Sequence, residues 1–356
     1  MPALPTCDPA REPESHVFTR FKATDLRQGL AGLQHVSLTS DPPQGYTTRM
    51  ETLNGAFQDL VVQALQFSKS FEKITNHNVY QQAIPEILPL LDKMSDTLLL
   101  PGSGIGGFEH LDNAYAKAVS GKSCVLLLEH YSNLDLPIFS YLLRKEGERG
   151  KAIAGALVAI AGMKLSEENP AVAAFTAAFT RIVIYPSRSL MGLDARKDRD
   201  EIIRSNSINR AAMKSLLDVK KKGKLILVFP SGTRYRPWNP ETKRGVREID
   251  SYIKSFDYMC PVAINGEVLH VRQGDMMDDF VSSDVVRMTA GPVLSCAAFR
   301  EKARAEAAGT EDKKQATVDA VMRILEDIHR TSEPERENAL ASWKNSPYGL
   351  RKENSA

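Results

Sequence analysis

Two polar residues follow a strongly apolar run of the sequence at a spacing that suits acid–base chemistry. The run Val125–Leu128 leads into His130, and Asp135 comes five positions after the histidine. A carboxylate can hold one nitrogen of an imidazole ring, which leaves the other nitrogen free to take a proton from a hydroxyl group. The pair therefore predicts a general base at the end of a strand. The alternative is that Asp135 caps a helix beginning at Leu136 and that His130 is an ordinary histidine at the rim of a sheet.

A second polar stretch, LVFPSGTRYRP at 227–237, also follows an apolar run. Pro230–Gly232 indicates a sharp turn, and Arg234 and Arg236 follow it. Guanidinium groups beside exposed backbone N–H groups suit a phosphate, so we predict an anion site here. A solvated loop is the alternative. A third stretch, VIYPSRSL, places Arg188 just past a predicted strand, as a further anion contact or as surface charge.

Two glycine-containing stretches look like nucleotide-binding motifs but lack the structural context that such motifs need. GSGIGG at 102–107 matches G-x-G-x-x-G, yet Pro101 precedes it and no clear strand does. SGKS at 120–123 resembles the end of a phosphate-binding loop, but Ala116 stands where the first glycine belongs. We interpret the first as a glycine-rich loop and the second as a turn before the next strand.

Composition and charge limit the class of protein. The chain has 356 residues, of which 42% are hydrophobic and 25% charged, so it can bury a sizeable core. Its net charge of +2 argues against a general nucleic-acid binder. Its four cysteines lie far apart, without metal-ligand spacing, which fits a reducing compartment.

No segment has the length of a membrane span, and the first residues do not resemble a signal peptide. We expect a soluble protein of the cytoplasm, or of the plastid stroma in a photosynthetic source, with at most transient contact with a membrane surface.

The elements that must position these polar residues alternate between short apolar runs and amphipathic segments. We predict strands at 124–129, 181–186, 224–230 and 260–264, and helices at 109–120, 200–222 and 319–330. This alternation predicts an α/β fold in which helices flank a largely parallel, mixed sheet. The predicted domains are a loose N-terminal arm at 1–44, a small helical N-terminal domain at 45–100, an α/β catalytic domain at 101–330 and a polar, frayed tail at 331–356.

Taken together in this order, the motifs resemble those of the glycerolipid acyltransferases. The H-x4-D motif of that family is matched by His130 and Asp135, and its F-P-E-G-T-R motif by Phe229–Arg234, with Ser231 in place of the glutamate. A later apolar motif that contains proline is matched by Cys260–Ile264.

The serine makes the chain most similar to the soluble, plastid- or chlamydia-type glycerol-3-phosphate acyltransferases, which carry a P-S-G-x-R-x-R-P version of the motif. PSGTRYRP at 230–237 fits this version, and the similarity covers roughly residues 101–265. In that branch a lysine–histidine pair helps to bind the phosphate where this chain has Arg188 and Ser189. The cation is kept at this position, but the histidine contact is not.

The resemblance implies that the chain transfers a fatty acyl group from a thioester to the primary hydroxyl of glycerol 3-phosphate. His130 would be the general base and Asp135 would orient it. The residues that would hold the phosphate are Arg188, Ser189, Arg234 and Arg236. The turn of Ser231, Gly232 and Thr233 would offer backbone N–H groups to an oxyanion. No cofactor or metal is implied, and acyl carrier protein or coenzyme A would carry the acyl group.

Two other functions remain open from the sequence. A 1-acylglycerol-3-phosphate acyltransferase shares the main motifs, although Ser231 and the lack of an apolar anchor count against it. A non-catalytic domain that binds lipid or scaffolds partners is the other. The basic run at 220–224 could meet an acidic carrier protein or anionic lipid, or be a solvated helix end.

Overall fold

The computed structural model describes residues 51–67, 73–163, 165, 169–190, 194, 196–307, 309 and 312–344. The loose arm predicted at 1–44 lies outside these described residues. Within them, helices and strands alternate as expected for the predicted α/β fold. Residues 45–100, predicted as a helical domain, contain two helices in their described part, together with two very short strands.

The elements within the described residues are numbered in chain order. The strands are β1 (Glu51–Thr52), β2 (Tyr80–Gln81), β3 (Gly104–Gly106), β4 (Cys124–Leu128), β5 (Leu157–Gly162), β6 (Arg181–Ile184), β7 (Leu225–Val228), β8 (Tyr258–Asn265), β9 (Leu269–His270), β10 (Phe280–Val281), β11 (Arg287–Ala290) and β12 (Leu294–Ser295). The α-helices are α1 (Leu53–Phe67), α2 (Leu88–Leu98), α3 (Phe108–Val119), α4 (Asp135–Lys145), α5 (Gly147–Ala156), α6 (Pro170–Thr176), α7 (Arg199–Val219), α8 (Ile249–Ser255), α9 (Cys296–Glu306) and α10 (Lys313–Lys344).

One large mixed sheet organises the fold. Its strands follow the order β2-β6-β5-β7-β4-β8-β11-β3, and β12 pairs with β8. The five neighbouring strands β6, β5, β7, β4 and β8 are parallel, and β2 and β12 run antiparallel to the strands that they join. Strand β11 runs antiparallel to β8 and parallel to β3. A separate small antiparallel sheet contains β1, β10 and β9. The largely parallel, mixed sheet that the sequence predicted is therefore confirmed.

The central strands are continuous apolar runs because helices cover the sheet on both faces. Every residue of β4 and β7 is buried. In the register of the sheet, Leu127 lies opposite Val228 in β7 and Pro261 in β8. The carboxyl ends of β4 and β7 therefore lie side by side, and the chain leaves both strands at the same edge of the sheet.

The four strands predicted from the sequence are confirmed, but β5 was not predicted. Its sequence, LVAIAG, is rich in alanine and glycine, which have weak strand propensity, and it follows directly on a helix. It lies between β6 and β7, where almost all of it is buried. The neighbouring strands, rather than local propensity, decide its conformation.

None of the described helices is both long enough and apolar enough to cross a lipid bilayer.

The expectation of a frayed segment from residue 331 is wrong for residues 331–344. Helix α10, predicted only over 319–330, continues to Lys344. Tertiary contacts hold this polar continuation. Ser332 Oγ donates to Oδ1 of the fully buried Asn265 at 2.6 Å. Arg336 donates to Asp284 Oδ2 at 2.7 Å and to the Val285 carbonyl at 3.0 Å. Residues 345–356 lie outside the described residues.

A pair of arginines on α10 tests whether this continuation is part of the folded structure. Arg336 and its partner Asp284 have exposed side-chain fractions of 18% and 14%, so Arg336→Ala leaves a mostly buried carboxylate without its cation. We expect a loss of about 3 kcal/mol in the free energy of unfolding, measured by urea denaturation. The matched control is Arg330→Ala, because Arg330 is 74% exposed and pairs with an exposed aspartate. It should cost less than about 0.5 kcal/mol. Equal effects of the two substitutions would contradict this account of α10.

Candidate functional site

The turn between β4 and α4 brings the predicted histidine and aspartate into contact. His130 Nδ1 lies 2.9 Å from Asp135 Oδ2, and the two side chains are 14% and 6% exposed. The same carboxylate accepts hydrogen bonds from the N–H groups of Tyr131 and Ser132, at 2.6 and 2.9 Å, and from Ser132 Oγ at 2.9 Å. All of these donors precede α4 in the chain. Asp135 therefore organises the turn and holds the histidine instead of capping its own helix.

The contact with Asp135 leaves the second ring nitrogen of His130 available. When Nδ1 carries the proton and donates to the carboxylate, Nε2 is the basic nitrogen. No described residue forms a hydrogen bond with Nε2. An imidazole in this state can accept a proton from a hydroxyl group, and the neighbouring carboxylate then stabilises the imidazolium that forms.

The segment after β7 contacts the histidine directly. The ring of Phe229 stacks on the ring of His130, with 3.9 Å between centroids and 20° between planes. The N–H of Tyr235 donates to the His130 carbonyl oxygen at 2.9 Å. The two motifs that the sequence separates by about 100 positions are therefore packed against each other, and Phe229 restricts the orientation of the imidazole ring.

The Pro-Ser-Gly turn is tight and presents backbone N–H groups. Gly232 has a φ of +64°, and its N–H donates to the Phe229 carbonyl at 3.0 Å, so this group is already used. Ser231 is buried, and its Oγ donates to the Thr233 carbonyl at 2.7 Å. The N–H groups of Ser231 and Thr233 have no acceptor among the described residues. They are the members of the predicted oxyanion turn that remain able to donate.

The predicted phosphate-binding arginines differ in their surroundings. Arg234 Nη1 lies 2.5 Å from Asp279 Oδ2, and the carboxylate is only 1% exposed, so much of the Arg234 charge is compensated within the protein. Arg236 is half-buried, and in the described ranges no carboxylate pairs with its guanidinium. Its N–H donates to Thr242 Oγ1 at 2.8 Å, which fixes the backbone of the loop.

Arg188 and Ser189 lie at the same edge of the sheet but farther from the histidine. They follow β6, which β5 and β7 separate from β4. Three strand spacings of about 4.8 Å place the ends of β6 and β4 roughly 14 Å apart. The side chain of Arg188 is exposed. The structure thus brings His130, Asp135 and Ser231 together and leaves Arg188 at the periphery.

A small cleft that is partly open to solvent lies above the histidine. The residues that line it are Glu129, His130, Tyr131, Pro230, Ser231, Tyr235, Lys243 and Met322. The three predicted arginines are not among them. Sequence reasoning missed Lys243 and Met322, since they come from a loop after the motif and from α10. No spacing pattern connects these segments to the motifs, so only the tertiary fold could reveal them.

A buried polar pair supports the floor of this cleft. Glu129 is 5% exposed and accepts from the Ile264 N–H at 2.8 Å and from His329 Nδ1 at 3.1 Å. The hydrogen bond to Glu129 raises the pKa of His329 above its usual value of 6.5, against the opposing effect of burial. Burial also raises the pKa of the neighbouring Tyr131 hydroxyl, which keeps that hydroxyl protonated. Glu129, the residue just before His130, is therefore joined to α10 by a charged hydrogen bond.

Among the described residues, no group of three or more His, Cys, Asp or Glu side chains is arranged to hold a metal ion.

The raised pKa of His329 predicts a pH dependence of stability. Glu129 and Glu333 favour the charged imidazole, and Lys243 and burial oppose it. The pair therefore stabilises the fold fully below the unfolded pKa of about 6.5, and its contribution is lost as pH rises through the higher folded pKa. We expect His329→Gln to destabilise the protein by on the order of 1–2 kcal/mol at pH 6 and by less at pH 9, measured by urea denaturation. His77→Gln, at an exposed histidine, is the control. A penalty that does not shrink as pH rises would disprove the charged pair.

Comparison with known proteins agrees with this geometry. A search of curated proteins finds no match to the chain. Residues 108–265 match the family model described as Acyltransferase, a region that includes β4, the histidine–aspartate turn, the Pro-Ser-Gly turn and β8. The match supports an acyltransferase domain over these residues and, with it, a transferase that moves an acyl group.

Proposed function

We propose that the protein transfers a fatty acyl group from an acyl thioester to the primary hydroxyl of sn-glycerol 3-phosphate. The product would be 1-acylglycerol 3-phosphate, so that the reaction would be the first acylation in phospholipid and glycerolipid synthesis. The observation that carries the proposal is the 2.9 Å contact between His130 and Asp135, stacked against the Pro-Ser-Gly motif in a small cleft. The serine at 231 favours glycerol 3-phosphate over its monoacylated form by resemblance to the soluble branch of the family.

The chemistry follows from the two nitrogens of His130. Nε2 takes the proton of the acceptor hydroxyl while its oxygen attacks the thioester carbonyl, and Asp135 stabilises the resulting imidazolium. The tetrahedral intermediate then collapses by breaking the carbon–sulfur bond, and the imidazolium returns the proton to the departing thiolate. The carbonyl oxygen carries the negative charge in between, and the N–H groups of Ser231 and Thr233 are the donors that we propose for it. No covalent intermediate with the enzyme is formed.

The acceptor and donor are recognised by different features in this proposal. A phosphate held at a fixed distance from His130 orients the hydroxyl for attack, which converts binding energy into rate. Arg236 is the arginine best suited to this role, because its guanidinium has no carboxylate partner in the described chain, whereas Arg234 is paired with Asp279. Arg188, near Ser189, would act at the rim. Either acyl carrier protein or coenzyme A would deliver the acyl group, and the exposed Lys221 and Lys222 offer positive charge to such an acidic donor or to an anionic membrane.

The first test concerns the general base. We expect His130→Ala to lower the turnover number by roughly 10²–10⁴ while the protein remains folded, because a typical general base contributes that much to rate. Asp135→Asn should also lower turnover, since an amide cannot stabilise the imidazolium. His77→Ala, at an exposed histidine, is the matched control and should retain full activity. Acyl transfer is measured with labelled glycerol 3-phosphate. Near-normal turnover by His130→Ala would refute the mechanism.

The second test separates glycerol 3-phosphate from a monoacylated acceptor. The small acceptor binds mainly through its phosphate, whereas a monoacylated one keeps its chain in an apolar environment. We expect Arg236→Ala to raise the half-saturating glycerol 3-phosphate concentration roughly ten- to hundredfold, with much less effect on the acyl donor. Arg323→Ala, at an exposed arginine of α10, is the control.

Both acceptors are titrated with wild type and Arg236→Ala. If wild type uses only the monoacylated acceptor, the protein catalyses the second acylation. If wild type uses glycerol 3-phosphate and Arg236→Ala binds it normally, the phosphate lies elsewhere. If no acceptor is acylated with either carrier protein or coenzyme A as donor, a non-catalytic lipid-binding role replaces the proposed reaction.

A further inference from the structure

The cleft above His130 contains a cation that none of the motifs includes. Lys243 lines this cleft together with His130 and Ser231, whereas Arg188, Arg234 and Arg236 do not line it in the described structure. A phosphate monoester whose hydroxyl reaches His130 must place its anionic group within a few ångströms of the same cleft. Among the residues that line the cleft, Lys243 is the lysine or arginine that can meet the phosphate there, in addition to the contact proposed for Arg236.

The present partner of Lys243 is held only weakly. Lys243 Nζ lies 3.1 Å from Glu326 Oε2, and the two side chains are 43% and 57% exposed. The hydrogen bond from Lys243 lowers the pKa of Glu326, so the carboxyl group is charged at neutral pH. Ion pairs as exposed as this one contribute little to stability, so a phosphate can replace the carboxylate at small cost. By contrast, Arg234 is bound to a carboxylate that is only 1% exposed, and its release would leave a buried charge unpaired.

We infer that Lys243 binds the phosphate of the acceptor and that Glu326 is the counterion that the phosphate displaces. Lysine suits an exchange of this kind because its compact charge lies at the end of a flexible stem. Once released, Glu326 keeps cations nearby, since His329 and Arg330 also help to lower its pKa. The inference rests on the proposed function and deepens it, because it specifies a phosphate monoester as the class of acceptor and gives its position relative to His130.

The exchange makes two substitutions act in opposite directions. Lys243→Met removes the cation and should weaken glycerol 3-phosphate binding roughly ten- to hundredfold. Glu326→Gln removes the competing carboxylate while keeping the shape of the side chain, and it should tighten binding by up to about fivefold. The matched control is Arg244→Met, because Arg244 is the adjacent residue, is exposed and has no ion pair in the described chain. The dissociation constant of Arg244→Met for glycerol 3-phosphate should stay within about twofold of the wild-type value.

The experiment measures binding and turnover separately. Isothermal titration calorimetry with glycerol 3-phosphate gives the dissociation constant of wild type and the three variants without requiring catalysis. Steady-state acyl transfer then gives the half-saturating concentrations of acceptor and donor. We expect Lys243→Met to raise both the dissociation constant and the half-saturating concentration of glycerol 3-phosphate. The half-saturating concentration of the acyl donor should stay unchanged. Thermal unfolding confirms that each variant is folded. The increase in affinity for glycerol 3-phosphate that we expect for Glu326→Gln cannot arise from misfolding.

The outcomes distinguish the inference from the proposed reaction. If wild type binds glycerol 3-phosphate but does not acylate it, the proposed reaction fails, and the calorimetry alone still decides the role of Lys243. Normal binding by Lys243→Met would overturn the inference, as would equal weakening by Lys243→Met and Arg244→Met, which would indicate only a general effect of charge. Absence of any binding by wild type would overturn it as well. Weaker binding by Glu326→Gln would show that the carboxylate supports the site instead of competing with the phosphate.

Discussion

Parallel pairing aligns the ends of two strands, and in this chain it aligns the end of β4 with the end of β7. The backbone hydrogen bonds of that ladder are buried and cannot be exchanged for water, so the register is rigid. His130 leaves β4 two residues beyond its end, and Phe229 leaves β7 directly after its last residue. Because both exits lie at one edge, the imidazole and phenyl rings stack at 3.9 Å. A shift of one residue in this register would turn the histidine away from the cleft.

The histidine–aspartate turn shows how a buried charge is made tolerable. A carboxylate that is removed from water is costly unless it is hydrogen-bonded. Asp135 meets this requirement with two backbone N–H groups, a hydroxyl group and the imidazole of His130. The same bonds that compensate for its burial set the path of the chain between β4 and α4. Asp135 therefore has a structural role in addition to the chemical role that we propose for it, which leaves little freedom to change this side chain.

Helix α10 forms the remaining wall of the site. Its first half is held by buried apolar residues such as Val321 and Leu325, and polar contacts hold its continuation. His329 bonds to Glu129, and Ser332 bonds to Asn265 at the carboxyl end of β8. Met322, one turn before Glu326, reaches the cleft itself. Since Glu129 directly precedes His130, the positions of α10 and of His130 are physically linked. The helix is thus part of the site, although its sequence carries no motif.

Four strands of the large sheet and the histidine–aspartate pair were predicted from the sequence alone. Continuous apolar runs such as Cys124–Leu128 predict buried strands, and the H-x4-D spacing together with Pro-Ser-Gly predicts where a base and an anion-binding turn lie. These features are local, because they depend on side-chain type within a few residues. Strand β5 could not be predicted in this way, since its alanines and glycine acquire a strand conformation only between β6 and β7.

The tertiary structure decided the surroundings of each cation near the candidate site and how far the last helix extends. The three arginines carry the same formal charge in the sequence, but Asp279 compensates Arg234, distance separates Arg188 from His130, and Arg236 remains without a carboxylate partner in the described chain. The entry of Lys243 into the cleft and the continuation of α10 to Lys344 depend on contacts between residues far apart in the chain. Charge and polarity can be read from sequence, but the partner that neutralises a charge or orders a polar helix is chosen only when distant segments pack together.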